Sequence, residues 1–132
     1  MNRKLLFFLL PLLWAFSVNA QDQPKRELRG AWISSYFGLD WPNKNESPAT
    51  QRSRLISILD HHEATGINVV YLQVRSQCDA LYPSAIEPWS NDLTGTQGVA
   101  PNPLWDPLQF AIEETHKRGM ELHAWINPYR AI

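Results

Sequence analysis

The sequence predicts an α/β fold of parallel strands, namely a partial TIM (β/α)8-type barrel made of about the first three strands and two helices. Segments with strand and helix periodicity alternate in the order β-α-β-α-β. The links from helix to strand are short and those from strand to helix are long, which is typical of parallel α/β folds. Each strand has one aliphatic and one mixed face, which favours a barrel over an open sheet covered on both sides.

The first two strands are predicted at residues 28–35 and 68–75. In the second strand, aliphatic positions alternate with mixed ones: Val70, Leu72 and Val74 against Tyr71, Gln73 and Arg75. A period of two places these two sets on opposite faces. We expect the aliphatic faces to contact the helices and the mixed faces to point into a barrel.

Two helices are predicted from matching start and stop signals. Ser47-Pro48 and Asp106-Pro107 each combine an N-cap residue with a proline at the first helical position. Gly66 and Gly119 follow the last turns as C-terminal caps. The expected buried positions are Leu55, Ile56, Ile58, Leu59 and His62 in the first helix, and Leu108, Ala111, Ile112 and Thr115 in the second.

The third strand, within residues 121–130 (ELHAWINPYR), becomes more polar toward its end and breaks at Asn127-Pro128. Because carboxyl ends of parallel strands meet at one edge, we expect polar side chains from all three strands to converge there. The converging residues would be Ser34, Gln73, Arg75, His123, Trp125 and Asn127.

The domain organisation begins with a predicted signal peptide at 1–20. It combines a basic start, an apolar run and small residues before a cleavage site after Ala20. Cleavage would leave no stable membrane anchor and would place the protein in the periplasm or outside the cell. Residues 21–26 are predicted as a linker and 27–132 as the N-terminal part of a barrel domain. A complete barrel needs about 250 residues, so we expect an incomplete domain.

Composition excludes some function classes. The net charge is −1 and no basic run is present, so a nucleic-acid partner is not expected. No histidine and cysteine spacing suits a metal, and no glycine-rich loop follows the first strand, so neither a metal nor another cofactor is predicted. All tryptophans except Trp14 follow residue 20. They suit a core or platforms for sugar rings.

Several residues are candidates for chemistry, and each has a structural alternative. A loop of about thirty residues follows the second strand, and loops of that length are usually functional or disordered; its tryptophans and prolines favour an ordered lid or groove wall. Glycosidases commonly use two carboxylates, and the acids in loops at the correct edge are Asp40, Asp79, Glu87 and Asp92. Asp79 is a weak catalytic candidate, but the favoured interpretation is that it pairs with Arg75 and shapes the loop.

The other candidates would bind substrate. Arg75 could bind an anionic group or form a scaffold ion pair. His123 could act as an acid–base group, although a hydrogen-bonded core histidine is the commoner case. Trp41 and Trp125 could stack on sugars, with core packing favoured for Trp125. Asn127 could bind a sugar hydroxyl or cap the turn before the proline.

Taken together, six stretches resemble the glycosyl hydrolase-like 10 domain family over almost all of the chain after residue 26. They are RGAWISS, the FGLDWP segment at 37–42, INVVYLQVR, DALYPSAIEPWS, LTGTQG and WDPLQFAIEETHKRGMELHAWINPYR. The resemblance implies a TIM-like barrel in exported bacterial proteins that act on cell-envelope glycan, with peptidoglycan strands as the substrate. The segment Ser76-Gln77-Cys78 departs from the small residues that the family has after the arginine.

The resemblance implies a set of groove positions: Trp41, Arg75, Asp79, Tyr82, Trp89, Trp125, Asn127 and Tyr129. His123 joins this set from the strand pattern alone. The family's acidic strand-end motif has no counterpart here, so the catalytic acids are expected beyond Ile132. We therefore predict the N-terminal portion of a secreted or periplasmic glycoside hydrolase whose partner is a glycan. The alternatives are a glycan-binding module without turnover and an incomplete, inactive fragment.

Overall fold

A computed structural model describes residues 27–130 of the chain. In chain order its elements are strand β1 (Gly30–Ile33), a 3₁₀ turn (Tyr36–Gly38), helix α1 (Pro48–Ala64), strand β2 (Val69–Arg75), helix α2 (Asn91–Thr94), helix α3 (Pro107–Lys117) and strand β3 (Glu121–Ile126). The predicted signal peptide at 1–20, the linker at 21–26 and residues 131–132 lie outside the described residues.

The three strands form one parallel sheet in the order β1-β2-β3. The predicted β-α-β-α-β order is confirmed, with one addition: the short helix α2 lies in the loop between β2 and α3. Its first turn is capped by Ser90, whose Oγ accepts a hydrogen bond from the amide of Asp92. The fold is a small α/β unit compatible with part of a barrel.

The two long helices begin where the sequence predicts. Ser47 Oγ accepts a hydrogen bond from the amide of Thr50 at 3.2 Å, and Asp106 Oδ1 accepts one from the amide of Gln109 at 3.0 Å. These contacts satisfy backbone donors that a helix leaves free in its first turn. In both helices proline occupies the start of the first turn, where its missing N–H costs nothing.

One face of the sheet is covered by helices. Its aliphatic side chains share a core cluster with residues of α1 and α3, among them Ile33, Val70, Leu72, Val74, Leu55, Leu59 and Ala111. The predicted contact between aliphatic faces and helices is confirmed for β1 and β2. On β3 only Leu122 packs against this core, whereas Ala124 and Ile126 are exposed.

The opposite face carries aromatic side chains. Trp32, Tyr71 and His123 occupy one row across the three strands. The rings of Trp32 and Tyr71 stack with centroids 4.6 Å apart, and Trp125 meets Trp32 edge-on at 5.0 Å. This is the mixed face that the alternation predicts, turned away from the helices.

The long loop between β2 and α3 is tied to the sheet by backbone hydrogen bonds. The amide of Leu81 donates to the Val74 carbonyl at 3.0 Å, and the amide of Leu108 donates to the Leu81 carbonyl at 3.2 Å. Inside the loop, Ala80 forms an isolated bridge with Trp89. The expectation of an ordered loop is therefore confirmed, and the loop lies along the carboxyl edge of the sheet.

Candidate functional site at the carboxyl edge of the sheet

Asn127 joins the carboxyl ends of β2 and β3. Its amide donates to the Arg75 carbonyl at 3.0 Å, and its side-chain Nδ2 donates to the Ser76 carbonyl at 3.3 Å. Its Oδ1 accepts a hydrogen bond from Trp125 Nε1 at 2.9 Å. The structure thus brings Arg75, Trp125 and Asn127 together. Asn127 locks the β3 end, and its contact with Trp125 fixes the indole on the mixed face.

Arg75 forms an ion pair with Glu87, which reaches back from the long loop. Both side chains are only partly exposed. The expected pair between Arg75 and Asp79 is wrong, because Asp79 turns toward the backbone of its own turn. Arg75 Nε is buried and has no hydrogen-bond partner within residues 27–130. The guanidinium is therefore held by one carboxylate and keeps a donor unused.

Asp79 is buried and closes the first turn after β2. Its Oδ1 accepts hydrogen bonds from the Ser76 amide, the Ser76 hydroxyl and the Gln77 amide, at 3.2, 3.3 and 3.0 Å. A short acidic side chain that bonds backbone amides just before it is a turn-forming device. The part of the prediction that gave Asp79 a loop-shaping role agrees with this geometry.

Trp41 cannot serve as a sugar platform in this structure, and that expectation is corrected. The side chain is fully buried, and its Nε1 donates to the Gln51 carbonyl at 2.8 Å. Its ring meets Trp105 edge-on in the core, at 6.3 Å between centroids. Tyr82 and Trp89 are half-buried and pack against the same core, so each offers only part of its ring to the loop surface.

Among the hydrogen bonds of residues 27–130, none joins His123 or Tyr129 to Arg75, Trp125 or Asn127. His123 sits in the row of Tyr71, one layer further from the carboxyl edge than Trp125, so its predicted place at the edge is corrected. Its Nε2 lies 3.3 Å from Glu121 Oε2, and its ring contacts that of Tyr71. Tyr129 follows β3 and is almost fully exposed.

Gln73 organises the end of β1, a role that the strand pattern alone does not reveal. Its Oε1 accepts hydrogen bonds from the Ser34 hydroxyl at 3.0 Å, the Ser35 amide at 3.0 Å and the Tyr36 amide at 3.1 Å. Gln73 and Ser35 are both buried, so the contact with the Ser35 amide satisfies a backbone donor that water cannot reach. Gln73 thereby fixes the start of the 3₁₀ turn against β2.

The sequence pattern did not assign a role at this edge to Tyr36, Phe37 or Arg130. Tyr36 lies beneath the guanidinium of Arg130, 4.4 Å from its ring centroid, and touches the ring of Phe37. Cys78, in the loop after β2, donates its thiol to the Arg130 carbonyl at 3.3 Å. The turn after β1, the loop after β2 and the segment after β3 therefore meet in one surface. The aromatic pair Tyr36-Phe37, directly after the end of β1, was the feature of the sequence that could have indicated this surface.

Comparison with known proteins supplies the family. A model of the glycosyl hydrolase-like 10 family matches residues 27–130. The chain belongs to the glycosyl hydrolase-like 10 family. It is 50% identical over 116 residues to glycosyl hydrolase YngK of Bacillus subtilis (strain 168). The aligned region covers 87% of this chain and 22% of that protein. It is 47% identical over 117 residues to glycosyl hydrolase DigH of Escherichia coli (strain K12). Here the aligned region covers 83% of this chain and 26% of that protein.

The chain therefore spans about a quarter of the length of these two relatives. The matched region contains the whole sheet and the loops at its carboxyl edge. The resemblance noted from the sequence motifs is confirmed at the level of the family.

The four acids predicted in loops at the carboxyl edge are each engaged as acceptors in this glycosyl hydrolase-like 10 domain. Asp40 Oδ2 accepts from the Ser34 amide at 2.7 Å, and Asp92 Oδ2 accepts from the Phe37 amide at 3.3 Å. Burial raises the pKa of Asp92, and the charge of Asp79 raises it further, while the Phe37 amide opposes the shift. Asp79 and Glu87 are bound as described above.

Neither of two surface depressions coincides with the predicted groove residues of this glycosyl hydrolase-like 10 chain. One of about 310 Å³ lies beside β1, against Trp32, Leu39 and Arg54. Another of about 260 Å³ lies near Pro48 and Leu93. Within residues 27–130 no group of three or more histidine, cysteine, aspartate or glutamate side chains could hold a metal ion. None of the helices in that range is long and apolar enough to cross a bilayer.

Proposed function

We propose that this chain contributes one wall of the glycan-binding groove of an exported glycoside hydrolase acting on cell-envelope glycan of the peptidoglycan type. The observation that carries the proposal is the cluster of Arg75, Trp125 and Asn127 at the carboxyl ends of adjacent parallel strands. In barrel enzymes this edge holds the active site. Membership of the glycosyl hydrolase-like 10 family supports both the barrel and the glycan class.

Two members of the cluster, Trp125 and Arg75, have chemistry that suits a glycan. The indole of Trp125 can stack on the C–H face of a sugar ring. The guanidinium of Arg75 is partly exposed and can attract a carboxylate or bond a hydroxyl, with Glu87 holding it in place. Peptidoglycan carries both hydroxyls and carboxylates, so it offers partners for both side chains.

A second candidate function is glycan binding without turnover. It is favoured because Asp40, Asp79, Glu87 and Asp92 each already bond a backbone amide or an arginine, so each would have to give up that contact to bond a substrate. Under the first proposal, cleavage belongs to a whole enzyme of the relatives' length, and residues 27–130 supply binding and orientation.

One experiment tests both proposals. The full chain is incubated with purified peptidoglycan sacculi, and retention in the pellet is measured. Retention of this chain supports a glycan-binding wall under either proposal. Release of reducing or anhydro sugar ends is therefore measured with a protein of the relatives' length that carries this sequence: release there supports the hydrolase, and retention without release at any protein concentration supports the binding module. A chain that remains in the supernatant would contradict both. Cellulose, which has hydroxyls but no carboxylates, serves as the control polysaccharide.

A further inference from the structure

We infer that Phe37 is a sugar-stacking residue of this groove and that Asp92 positions it. The inference rests on the proposed glycan-binding function and names a ligand-contacting residue that the motif analysis did not assign. The ligand would be a pyranose unit, presenting its C–H face to the ring of Phe37. Four observations lead to this assignment.

The first observation is backbone strain at an aromatic residue. Phe37 has φ +54°, in the left-handed region, where a bulky side chain is a true outlier. Gly38, the next residue, also has positive φ, so the turn needs two left-handed residues. Glycine would adopt such a conformation at position 37 without steric cost. Strained residues persist where surrounding contacts enforce them, and they concentrate at functional sites.

The second observation is that the ring of Phe37 contributes little to packing. It is 77% exposed, and its one aromatic neighbour among residues 27–130 is Tyr36, at 4.2 Å between centroids. A phenyl ring whose backbone is strained and whose face is open to solvent adds little to the core. Its placement is accounted for if the ring contacts a ligand.

The third observation is the support beneath the turn. Asp92 is almost fully buried, and its Oδ2 accepts the Phe37 amide across a sequence separation of 55 residues. The Gly38 amide donates to the Ser35 carbonyl at 2.9 Å, which closes the turn on its other side. Asp92 lies on helix α2, within the long loop. Through this hydrogen bond the loop holds the turn after β1 in its strained form.

The fourth observation is location. Phe37 touches Tyr36, whose ring lies under Arg130, and the amide of Tyr36 is bonded to Gln73. Gln73 pairs in register with Trp125. Phe37 and Trp125 therefore belong to one carboxyl edge, and a glycan strand that crosses it would meet an aromatic ring from the β1 end and another from the β3 end.

The test uses Phe37→Gly in the full chain, with binding to purified peptidoglycan sacculi measured by co-sedimentation. Glycine removes the ring and relieves the left-handed backbone, so the variant should fold at least as well as the unsubstituted chain. We expect its affinity to fall about threefold to tenfold, the range of one aromatic contact. Leu28→Ala is the matched control, since Leu28 is similarly exposed but lies just before β1, at the opposite edge.

The positioning role of Asp92 is tested through Phe37. Asp92→Ala should weaken binding in the unsubstituted chain and have no further effect in the Phe37→Gly background. Asp92→Asn keeps an acceptor oxygen and should retain binding. If Phe37→Gly binds as tightly as the unsubstituted chain, the assignment of Phe37 is wrong. If Asp92→Ala weakens binding equally in both backgrounds, Asp92 does not act through Phe37. If the unsubstituted chain does not bind, the proposed function itself fails.

Discussion

The guanidinium of Arg75, at the last residue of β2, is paired with the carboxylate of Glu87 in the loop that follows. The pair joins a strand end to the middle of a long loop, so it fixes the loop as well as the arginine. The loop also carries Asp79, Trp89 and Asp92. The ion pair therefore holds this loop in place before any ligand binds at the carboxyl edge of the sheet.

Glu87→Gln should loosen this loop selectively. The substitution leaves a half-buried guanidinium without its counter-charge, and we expect a local loss of about 1–2 kcal/mol, below the value of a fully buried pair. Hydrogen exchange of the amides in residues 76–90 should accelerate accordingly. Glu46→Gln, which breaks the ion pair with Arg54 on α1, is the control and should leave those amides unchanged. Equal protection of the loop in both variants would contradict a tethering role.

Gln73→Leu should destabilise the whole fold. The change removes the acceptor for the buried amide of Ser35 and for that of Tyr36, and each unsatisfied donor costs about 1–3 kcal/mol. We expect the free energy of unfolding in urea to fall by about 2–4 kcal/mol. Gln73→Glu keeps the acceptor and should lose less. A Leu variant as stable as the unsubstituted chain would show that the hydrogen bonds to Gln73 contribute nothing net.

Local signals accounted for most of the fold. Ser47, Asp106 and the prolines after them predict the helix starts, because caps act through residues two or three positions away. The alternation in β2 correctly predicts which face contacts the helices. The first strand was predicted at 28–35, whereas the structure has Gly30–Ile33. Within residues 27–130 β1 pairs with β2 alone, so its length follows the four registered partners and not the apolar pattern alone.

The site was predicted less completely, because its contacts join residues far apart in sequence. Glu87 lies twelve positions after Arg75, and nothing in the pattern distinguishes it from Asp79 as the partner. The burial of Trp41 depends on Gln51 and Trp105, which belong to other elements. Helix α2 spans four residues, too short for a periodic signal to emerge.

Asp92 makes stability depend on pH in a definite direction. Burial raises its pKa in the folded state, so the folded chain binds the proton more tightly than the unfolded chain. Its contribution to stability is therefore largest in acid and falls as pH rises through the unfolded and then the folded pKa. The Asp92→Asn variant has no charge to bury. As pH rises through this range, its free energy of unfolding should therefore increase relative to that of the unsubstituted chain. Urea unfolding at several pH values from about 3.5 to 7 measures the difference.

Glu114 on α3 should show the opposite dependence. Hydrogen bonds from Lys117 and then Arg118 lower its pKa in the folded state. Its contribution is present above the unfolded pKa and disappears as pH falls through the folded one. Glu114→Gln should therefore cost about 0.5–1 kcal/mol near pH 7 and almost nothing at low pH. A penalty independent of pH would show that the ionised carboxylate is not responsible.

The most direct test of a glycan-binding carboxyl edge is a titration of the ¹⁵N-labelled chain with solubilised peptidoglycan strands, followed through the tryptophan indole N–H resonances. Trp125 lies at the proposed site, whereas Trp41 and Trp105 are buried in the core. Single Trp→Phe variants assign each resonance. The account predicts that the Trp125 signal shifts in a saturable manner while those of Trp41 and Trp105 stay in place. An unchanged Trp125 signal at saturating glycan, or equal shifts of the core indoles, would contradict it.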